Sequence, residues 1–325
     1  MNTSDICAMN WQTNPWGQEK VQSLLERVEA KKVRLSKMRP IPAIAMERLR
    51  ESLMMEWTYH SNGIEGNTLT LQETRIILSD GLTVGGKSLR EHFETLNHHE
   101  AIQVLETMVN SKFRMKSKDI LHIHELVLQR IEKEYAGRYR NAGVRITGAN
   151  FTPPNALKVD SLMDELIDWV NEEKELPLIV RATIFHHRMV WIHPFFDGNG
   201  RTVRLMFNLI LMSAGYPPAI ILQQDRKKYY DALNKGNQGN YEKLVLLVLQ
   251  ALERSLDIYL SHLDNTHDGY RPISDIVEEI SLPYGQEYLS LLIRQGKIAG
   301  HKDGRNWLTT AEAVEEYHLN RKRKR

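Results

Sequence analysis

Twelve consecutive residues in the second half of the chain combine the side chains that phosphate chemistry needs. They read His193-Pro-Phe-Phe-Asp-Gly-Asn-Gly-Arg-Thr-Val-Arg204. The Asp-Gly-Asn-Gly segment predicts a turn, because these residue types tolerate left-handed backbone conformations. The apolar run from Val203 to Leu211 predicts a helix that follows the turn. The unpaired N–H groups at the start of such a helix favour a bound anion.

Two arginines in the first turns of this helix support the same interpretation. Arg201 and Arg204 are three positions apart, so we expect them on one side of the helix. Cations at a helix N-terminus oppose the helix dipole, and an anionic ligand would compensate them. An ordinary turn with a packed histidine is the alternative, which the length of the whole motif disfavours.

The side chains of the motif suggest a reaction at phosphorus. His193 carries an imidazole, whose pKa is ordinarily near neutrality, and it can take the proton of an attacking hydroxyl. Asp197 is a hard oxygen ligand suited to Mg²⁺. Arg201 and Arg204 can neutralise phosphate oxygens as planar forks. In-line attack on a phosphate then depends on positioning more than on covalent catalysis.

The motif matches the signature of the Fic (Fido) family at every defined position. That signature is His-Pro-Phe-x-Asp/Glu-Gly-Asn-Gly-Arg-x-x-Arg, and the resemblance extends from about residue 41 to about residue 260. It implies an AMPylator, a protein adenylyltransferase that moves AMP from ATP to a Ser, Thr or Tyr hydroxyl of a target protein and releases pyrophosphate. His193 would be the catalytic base of this reaction.

The resemblance also implies positions for ATP and Mg²⁺. The backbone of Gly198, Asn199 and Gly200 would hold the α-phosphate, with the Asn199 side chain as a further donor. Mg²⁺ on Asp197 would bridge the α- and β-phosphates. The remaining nucleotide contacts expected in the motif are Arg201 and Arg204 at the β- and γ-phosphates, and Thr202.

Two segments outside the motif resemble base and target contacts of Fic proteins. Tyr230 would stack on or hydrogen-bond to the adenine, and Asn237 would read its edge. Residues 139–154 combine β-branched residues, Gly and a Pro pair, which predicts a short hairpin or an extended loop. In Fic proteins a β-hairpin flap lies here and docks the target segment by strand pairing. The flap residues expected over the nucleotide are Thr147, Gly148, Ala149 and Asn150.

A short motif nearer the N-terminus resembles the inhibitory motif of Fic proteins, Ser/Thr-x-x-x-Glu-Gly/Asn. It reads Ser61-Asn-Gly-Ile-Glu65-Gly66. The resemblance implies that Glu65 sits on a helix, pairs with Arg204 and fills the γ-phosphate position. A turn is the alternative, since Gly63 inside a helix costs about 1 kcal/mol against Ala. The same glutamate could instead orient a water, which would make the enzyme a deAMPylase.

Helical periodicity dominates the chain and predicts an all-α fold. The expected helices cover 18–36, 44–59, 88–110, 117–133, 158–173, 177–192, 202–213, 226–234 and 241–264. Two helices over 273–280 and 287–295, followed by a hairpin over 297–309 with an Asp303-Gly304 turn, resemble a winged helix-turn-helix module. The predicted units are an N-terminal helical extension (1–39), a Fic N-terminal region with the inhibitory helix (40–112), the Fic catalytic core (113–264) and a winged helix-like domain with a basic tail (265–325).

Overall composition limits the classes of function. The chain has 325 residues, of which 42% are apolar and 26% charged, and its formal net charge is +2. These values are typical of soluble globular proteins, and the global charge favours neither a nucleic-acid nor a membrane partner. The single cysteine, Cys7, allows no intrachain disulfide and fits a cytoplasmic location. The first residues lack the features of a signal peptide.

Several alternatives stay open on the sequence alone. The pocket could use another nucleotide donor, the chain could label itself, and it could form a homodimer. A DNA-binding regulator with a nucleotide-sensing Fic domain is a further alternative, because the predicted wing carries several basic side chains that could contact DNA phosphates. The same module also carries Glu278, Glu279, Glu315 and Glu316, which favour a protein-docking or dimer surface instead. A zinc site is disfavoured, since no His-Glu-x-x-His pattern occurs and His122 and His124 would diverge on a helix. The basic side chains of the predicted wing are Lys297, His301, Lys302 and Arg305.

Overall fold

The structure is a computed structural model that describes residues 17–38, 43–146, 151–263, 270–280, 282–303 and 305–323. Over these residues the chain forms thirteen α-helices and one small sheet. The helices are α1 (Glu19–Lys37), α2 (Ala43–Ile64), α3 (Leu71–Asp80), α4 (Leu89–Met108), α5 (Ser117–Leu128), α6 (Val159–Glu172), α7 (Leu178–Ile192), α8 (Asn199–Ser213), α9 (Arg226–Gly236), α10 (Glu242–Leu263), α11 (Ile273–Glu279), α12 (Gln286–Arg294) and α13 (Ala311–Arg323). The strands are β1 (Arg271–Pro272), β2 (His301–Asp303) and β3 (Asn306–Thr309).

The helical fold expected from the periodicity is confirmed. All the expected helices are present, although α2 continues to Ile64 and α8 begins at Asn199. Helices α3 and α13 were not expected. The start of α3 is a capping box, in which Thr70 Oγ1 accepts the N–H of Glu73 (3.2 Å) and Glu73 Oε2 accepts the N–H of Thr70 (2.7 Å). A Thr-x-x-Glu pattern predicts such a start, so α3 could have been found from the sequence.

Helices α7 and α8 are shared by two apolar cores. On one side they pack with α2, α4, α5 and α6 around buried residues such as Phe185, Phe195 and Met206. On the other side they pack with α1, α9 and α10 around Phe207 and Tyr229. Each fully buried side chain of this size contributes roughly 1.5–3 kcal/mol of transfer free energy. Because both cores hold α7 and α8, the turn between them has little freedom to move.

Charged side chains fasten α1 to α10 beside this core. Lys31 Nζ lies 2.6 Å from Asp257 Oδ1, and Arg27 Nε lies 2.9 Å from Glu253 Oε1. Both carboxylates are only 2% exposed. Buried carboxylates of this kind persist only when they are paired.

The C-terminal residues form a small core of their own under an antiparallel sheet with the order β1-β3-β2. The two expected helices and the expected hairpin are confirmed, and β1 adds a third strand. This part contacts α10, where Gln250 Nε2 donates to the Arg294 carbonyl (3.0 Å) and His301 Nδ1 lies 3.5 Å from Asp257 Oδ2. Its identification as a winged helix stays a prediction, as do the boundaries of the four units.

The segment expected to form the flap contains no strand in its described parts, 139–146 and 151–154. It is an extended loop there, which was one of the two structures expected. Thr147, Gly148, Ala149 and Asn150 lie outside the described residues, so their expected contact with the nucleotide stays a prediction. Within the described ranges, no helix combines the length and the apolar character that crossing a bilayer requires.

Candidate active site

His193 lies directly after α7 in a left-handed conformation, with φ 51°. This conformation costs roughly 1–2 kcal/mol for a residue with a Cβ, so neighbouring contacts must hold it. Arg140 supplies them: its Nε donates to the His193 carbonyl (2.8 Å) and its backbone N–H to the Pro194 carbonyl (2.9 Å). The same guanidinium also donates to the carbonyls of Ala142 and Pro154. Arg140 therefore links the segment that was expected to form the flap to the backbone of His193, the expected base.

The pKa of His193 differs from the ordinary value of an imidazole. Burial lowers the pKa of His193 to about 4, and the positive charge of Arg140 adds to the effect. The expected pKa near neutrality is therefore wrong. The imidazole is neutral at pH 7, which is the form that accepts a proton.

The turn after His193 is braced by its own side chains. Gly198, with φ 74°, precedes the first residue of α8, and Asp197 Oδ1 accepts its N–H (2.6 Å). Asn199 Oδ1 accepts the N–H of Phe195 and Asn199 Nδ2 donates to the Phe195 carbonyl, both at 2.9 Å. The side-chain amide of Asn199 thus holds the turn closed, and its expected contact with the α-phosphate stays a prediction.

His124 on α5 also stabilises this turn, although its position in the sequence had suggested only a metal ligand. Its Nδ1 accepts the N–H of Gly137 (3.0 Å), so its Nε2 carries the proton and donates to the Asp197 carbonyl (3.0 Å). The ring stacks on Phe195 at 3.5 Å and 5°. His122 is exposed on another side of α5, as its spacing indicated. The described residues contain no cluster of three or more potential metal-binding side chains.

The anion expected at the start of α8 is present as a carboxylate of the chain itself. Glu65 Oε1 lies 2.8 Å from Arg204 Nη2. A Cβ placed on Gly200 would lie 2.8 Å from Glu65 Cδ, so Gly200 provides the room for this carboxylate. Arg204 is buried, and it also donates through Nε to Ser61 Oγ (3.0 Å) and through Nη2 to the Ser61 carbonyl (2.8 Å). The expected pairing of Glu65 with Arg204 is thus present.

Glu65 itself lies in a turn directly after α2, not within the helix that the resemblance implied. Gly63, in contrast, is inside the helix despite its poor propensity. A Cβ at Gly63 would lie 2.5 Å from the Gln223 side chain, so a larger residue there would have to displace that side chain. Each of the two interpretations of this segment therefore holds for part of it.

The two arginines of the motif have different partners. Arg201 lies 3.3 Å from Glu94 Oε1 and 3.4 Å from Asp197 Oδ1, while Arg204 faces Glu65. Asp197 Oδ2 is also paired with Arg90 on α4. The expectation that both arginines share one side of the helix stays a prediction. The N–H of Thr202 donates to the Gly198 carbonyl (2.9 Å), and the expected contact of Thr202 with the nucleotide stays a prediction.

A cavity of about 470 Å³ brings most of the expected residues together. It lies between the end of α2 and helices α7, α8 and α9. Arg204 Nη1, which has no hydrogen-bond partner within the described part of the chain, lies 3.0 Å from the Cβ position of Gly200. The expected site residues that line the cavity are Glu65, His193, Asn199, Gly200, Arg204, Tyr230 and Asn237.

Hydrogen bonds fix the orientation of Asn237 at the far end of the cavity. His187 Nε2 lies 3.1 Å from the Leu233 carbonyl, so this nitrogen carries the proton. It therefore donates to Asn237 Oδ1 (3.0 Å) as well, while His187 Nδ1 accepts from the Tyr241 hydroxyl (3.0 Å). The NH₂ group of Asn237 is the donor that remains for a ligand.

Comparison with known proteins agrees with the geometry. A model of the Fic/DOC family matches residues 114–211. The solved structure of Fic-1 from C. elegans is similar over 75% of this chain and 73% of that chain, with a TM-score of 0.67 and 32% identity. The chain belongs to the Fic/DOC family. A Fic domain-containing signaling protein from Bacteroides thetaiotaomicron, at 24% identity and a TM-score of 0.68, shares the fold.

Curated relatives of this Fic/DOC chain carry the name Protein adenylyltransferase Fic. The relative from Nematostella vectensis is 38% identical over 264 residues, which is 79% of this chain and 61% of the relative. The relative from Aedes aegypti is 35% identical over 286 residues, which is 87% of this chain and 56% of the relative. The chain therefore spans less than two thirds of the length of either.

Proposed function

We propose that this Fic/DOC protein transfers AMP from ATP to a hydroxyl of a target protein. The observation that carries the proposal is one cavity in which a neutral His193 faces the N-terminus of α8 and the buried Arg204. The name shared by its relatives supports the same reaction. Homodimer formation, self-modification, DNA binding by the C-terminal part and a cytoplasmic location stay predictions.

The reaction can be assigned to the residues of the cavity. The hydroxyl oxygen attacks the α-phosphorus while its proton passes to the free ring nitrogen of His193. The bond between the α-phosphorus and the bridging oxygen breaks, and pyrophosphate leaves. The N–H groups at the start of α8 hold the α-phosphate oxygens, and Arg204 neutralises the terminal phosphates. Each group is placed before the reaction, which is the main source of such catalysis.

Asp197 is the residue that would hold Mg²⁺. Its side chain is 35% exposed, and the nearby Glu94 is engaged with Arg201. One protein carboxylate is enough for Mg²⁺, which typically keeps several waters and takes further ligands from substrate phosphates. When bound, the ion would stabilise negative charge on the pyrophosphate. Arg90 must release Asp197 Oδ2 for this to happen.

In this proposal Glu65 blocks the reaction. Its carboxylate lies on Arg204 and against Gly200, where phosphate oxygens must bind. A phosphate and this carboxylate cannot share the position, because like charges at contact distance repel. The protein is therefore an auto-inhibited transferase in this proposal.

The test is transfer of label from α-labelled ATP with Mg²⁺, alone and with cell lysate. Glu65→Gly protein should label protein about tenfold faster than wild type, if the carboxylate that it removes competes with phosphate by about 1.4 kcal/mol. Adding His193→Ala should abolish the label. Binding of ATP to Glu65→Gly without any transfer would overturn the proposal.

Removal of AMP is a second candidate, favoured by the position of Glu65 in the same cavity as His193. A carboxylate at that place can orient a water toward a phosphodiester. Release of AMP from a modified protein by wild type, and its loss in Glu65→Gly, would identify this direction.

A further inference from the structure

We propose that Arg226 is a positioning residue that holds the inhibitory turn from the rim of the nucleotide cavity, so that filling the base end of the cavity weakens the hold on Glu65. The inference rests on the proposed function and extends it to the way inhibition is released. It assigns a role to a side chain that lies outside both motifs.

The central contact joins Arg226 to the end of α2. Arg226 Nε donates to the carbonyl of Ile64 at 2.6 Å. Ile64 is the last residue of α2, and Glu65 follows it directly. The last carbonyls of a helix have no partner within the helix, and a cation there also interacts favourably with the helix dipole. Arg226 supplies both the donor and the charge at the residue before Glu65.

Neighbouring residues make the same segment a seat for the end of α2. The N–H of Gln223 donates to His60 Nδ1 (3.2 Å), and burial lowers the pKa of His60 to about 3, so this nitrogen is a stable acceptor. The Gln223 side chain packs against Gly63. The last turn of α2 is therefore held at three places by residues 223–226.

The other side of Arg226 faces the site expected for the base. Its guanidinium lies over the Tyr230 ring at 5.0 Å, an attractive arrangement of a cation and a ring. Arg226, Tyr230 and Glu65 all line the cavity. A base that stacks on Tyr230 competes with Arg226 for this ring, and coupling of this kind is reciprocal. What disturbs Arg226 also disturbs the turn that it holds.

The ion pair of Glu65 with Arg204 does not make this second attachment redundant. The Glu65 side chain is 31% exposed, and solvent weakens an ion pair that is open to it. Three backbone hydrogen bonds of 3.0–3.1 Å close the turn over residues 65–67. They start from α2, so a loosened helix end also loosens the turn.

The first experiment is a set of transfer rates for Arg226→Ala, Arg226→Lys and Lys228→Ala, each in wild type and in the Glu65→Gly background. Lys228 is a matched control, since it lies on the same helix, carries the same charge and pairs with Asp225 (2.7 Å) at the start of that helix. In wild type we expect Arg226→Ala to raise the rate about fivefold, on the scale of a typical net hydrogen bond, Arg226→Lys to raise it less, and Lys228→Ala to leave it unchanged. In the Glu65→Gly background Arg226→Ala should give no increase.

The second experiment does not depend on catalysis. Hydrogen exchange of the amides of residues 65–67 should be faster in Arg226→Ala than in wild type and unchanged in Lys228→Ala. Equal exchange in all three proteins overturns the inference, as does an equal fall of the transfer rate in both backgrounds, which would make Arg226 a nucleotide contact only. If Glu65→Gly transfers no AMP, the proposed function fails, and the exchange rates still decide whether Arg226 holds the turn.

Discussion

Protonation of His193 follows from its surroundings at the scale of single residues. Its ring is half-buried at the cavity wall and lies near Arg140. Both burial and a neighbouring cation disfavour the imidazolium, so the folded-state pKa falls below the ordinary value of about 6.5. His193, the proposed base, is therefore neutral at pH 7, but its affinity for the proton that it receives is weaker than that of an ordinary imidazole.

This shift predicts the pH dependence of the transferase. The active form is the neutral imidazole, which is lost only as the pH falls through about 4. We expect kcat/KM of the Glu65→Gly protein to be level from pH 8 down to pH ~5 and to fall about tenfold per unit below the pKa. An acidic limb centred near 6.5 would contradict the prediction. Circular dichroism over the same range should show that the protein stays folded.

Helix α8 shows a conflict between local stability and function at the scale of elements. Gly200 lies in its first turn, where Ala would stabilise a helix by up to about 1 kcal/mol. A Cβ there would instead occupy the space that the Glu65 carboxylate fills, and a phosphate needs the same space. The glycine is thus explained by the ligand and not by the helix.

Gly200→Ala should therefore separate stability from activity. We expect the melting temperature to stay within a few degrees of wild type, because Gly200 does not require a left-handed conformation. Transfer should fall by about 100-fold or more in the Glu65→Gly background, since a displaced phosphate loses its alignment. Full transfer by the double variant would show that phosphate binds elsewhere.

The contrast between α8 and the residues around it shows what sequence can predict. The turn, the helix that follows it and the residues of the motif depend on local types and spacing, and they were found. Arg140, His124, Arg90 and Arg226 were not, because each acts on a partner between 53 and 162 positions away. Such contacts arise from helix packing and leave no local pattern. The buried environment of His193 has the same origin, which is why its pKa was mispredicted.

At the scale of the whole molecule, one charged cluster joins three parts of the chain. Asp257 on α10 contacts Lys31 of α1 and lies 3.5 Å from His301 of the C-terminal sheet. Lys31 Nζ also donates to the Tyr270 hydroxyl (3.1 Å), which precedes β1. The cluster therefore connects α1 and the C-terminal sheet through α10.

Removing Asp257 should destabilise the molecule as a whole. Asp257→Ala leaves the Lys31 ammonium, 18% exposed, with one carboxylate fewer, and breaking such a pair costs about 3 kcal/mol or more. Urea unfolding should show this loss, while Glu26→Ala, at an exposed site on α1, should stay within about 0.5 kcal/mol of wild type. Equal stabilities of the two variants would mean that the charged cluster does not contribute to the stability of the molecule.

The place of Glu65 directly after α2 determines how quickly inhibition can be lifted. A carboxylate in the middle of a helix leaves its position only if the helix unravels or shifts. One on a short turn leaves by rotation about a few backbone bonds, a motion of nanoseconds to microseconds. Inhibition is then a rapid equilibrium that multiplies the apparent affinity for nucleotide by the open fraction. If Glu65 inhibits as proposed, the enzyme has no long-lived off state, and its basal rate follows the nucleotide concentration from one turnover to the next.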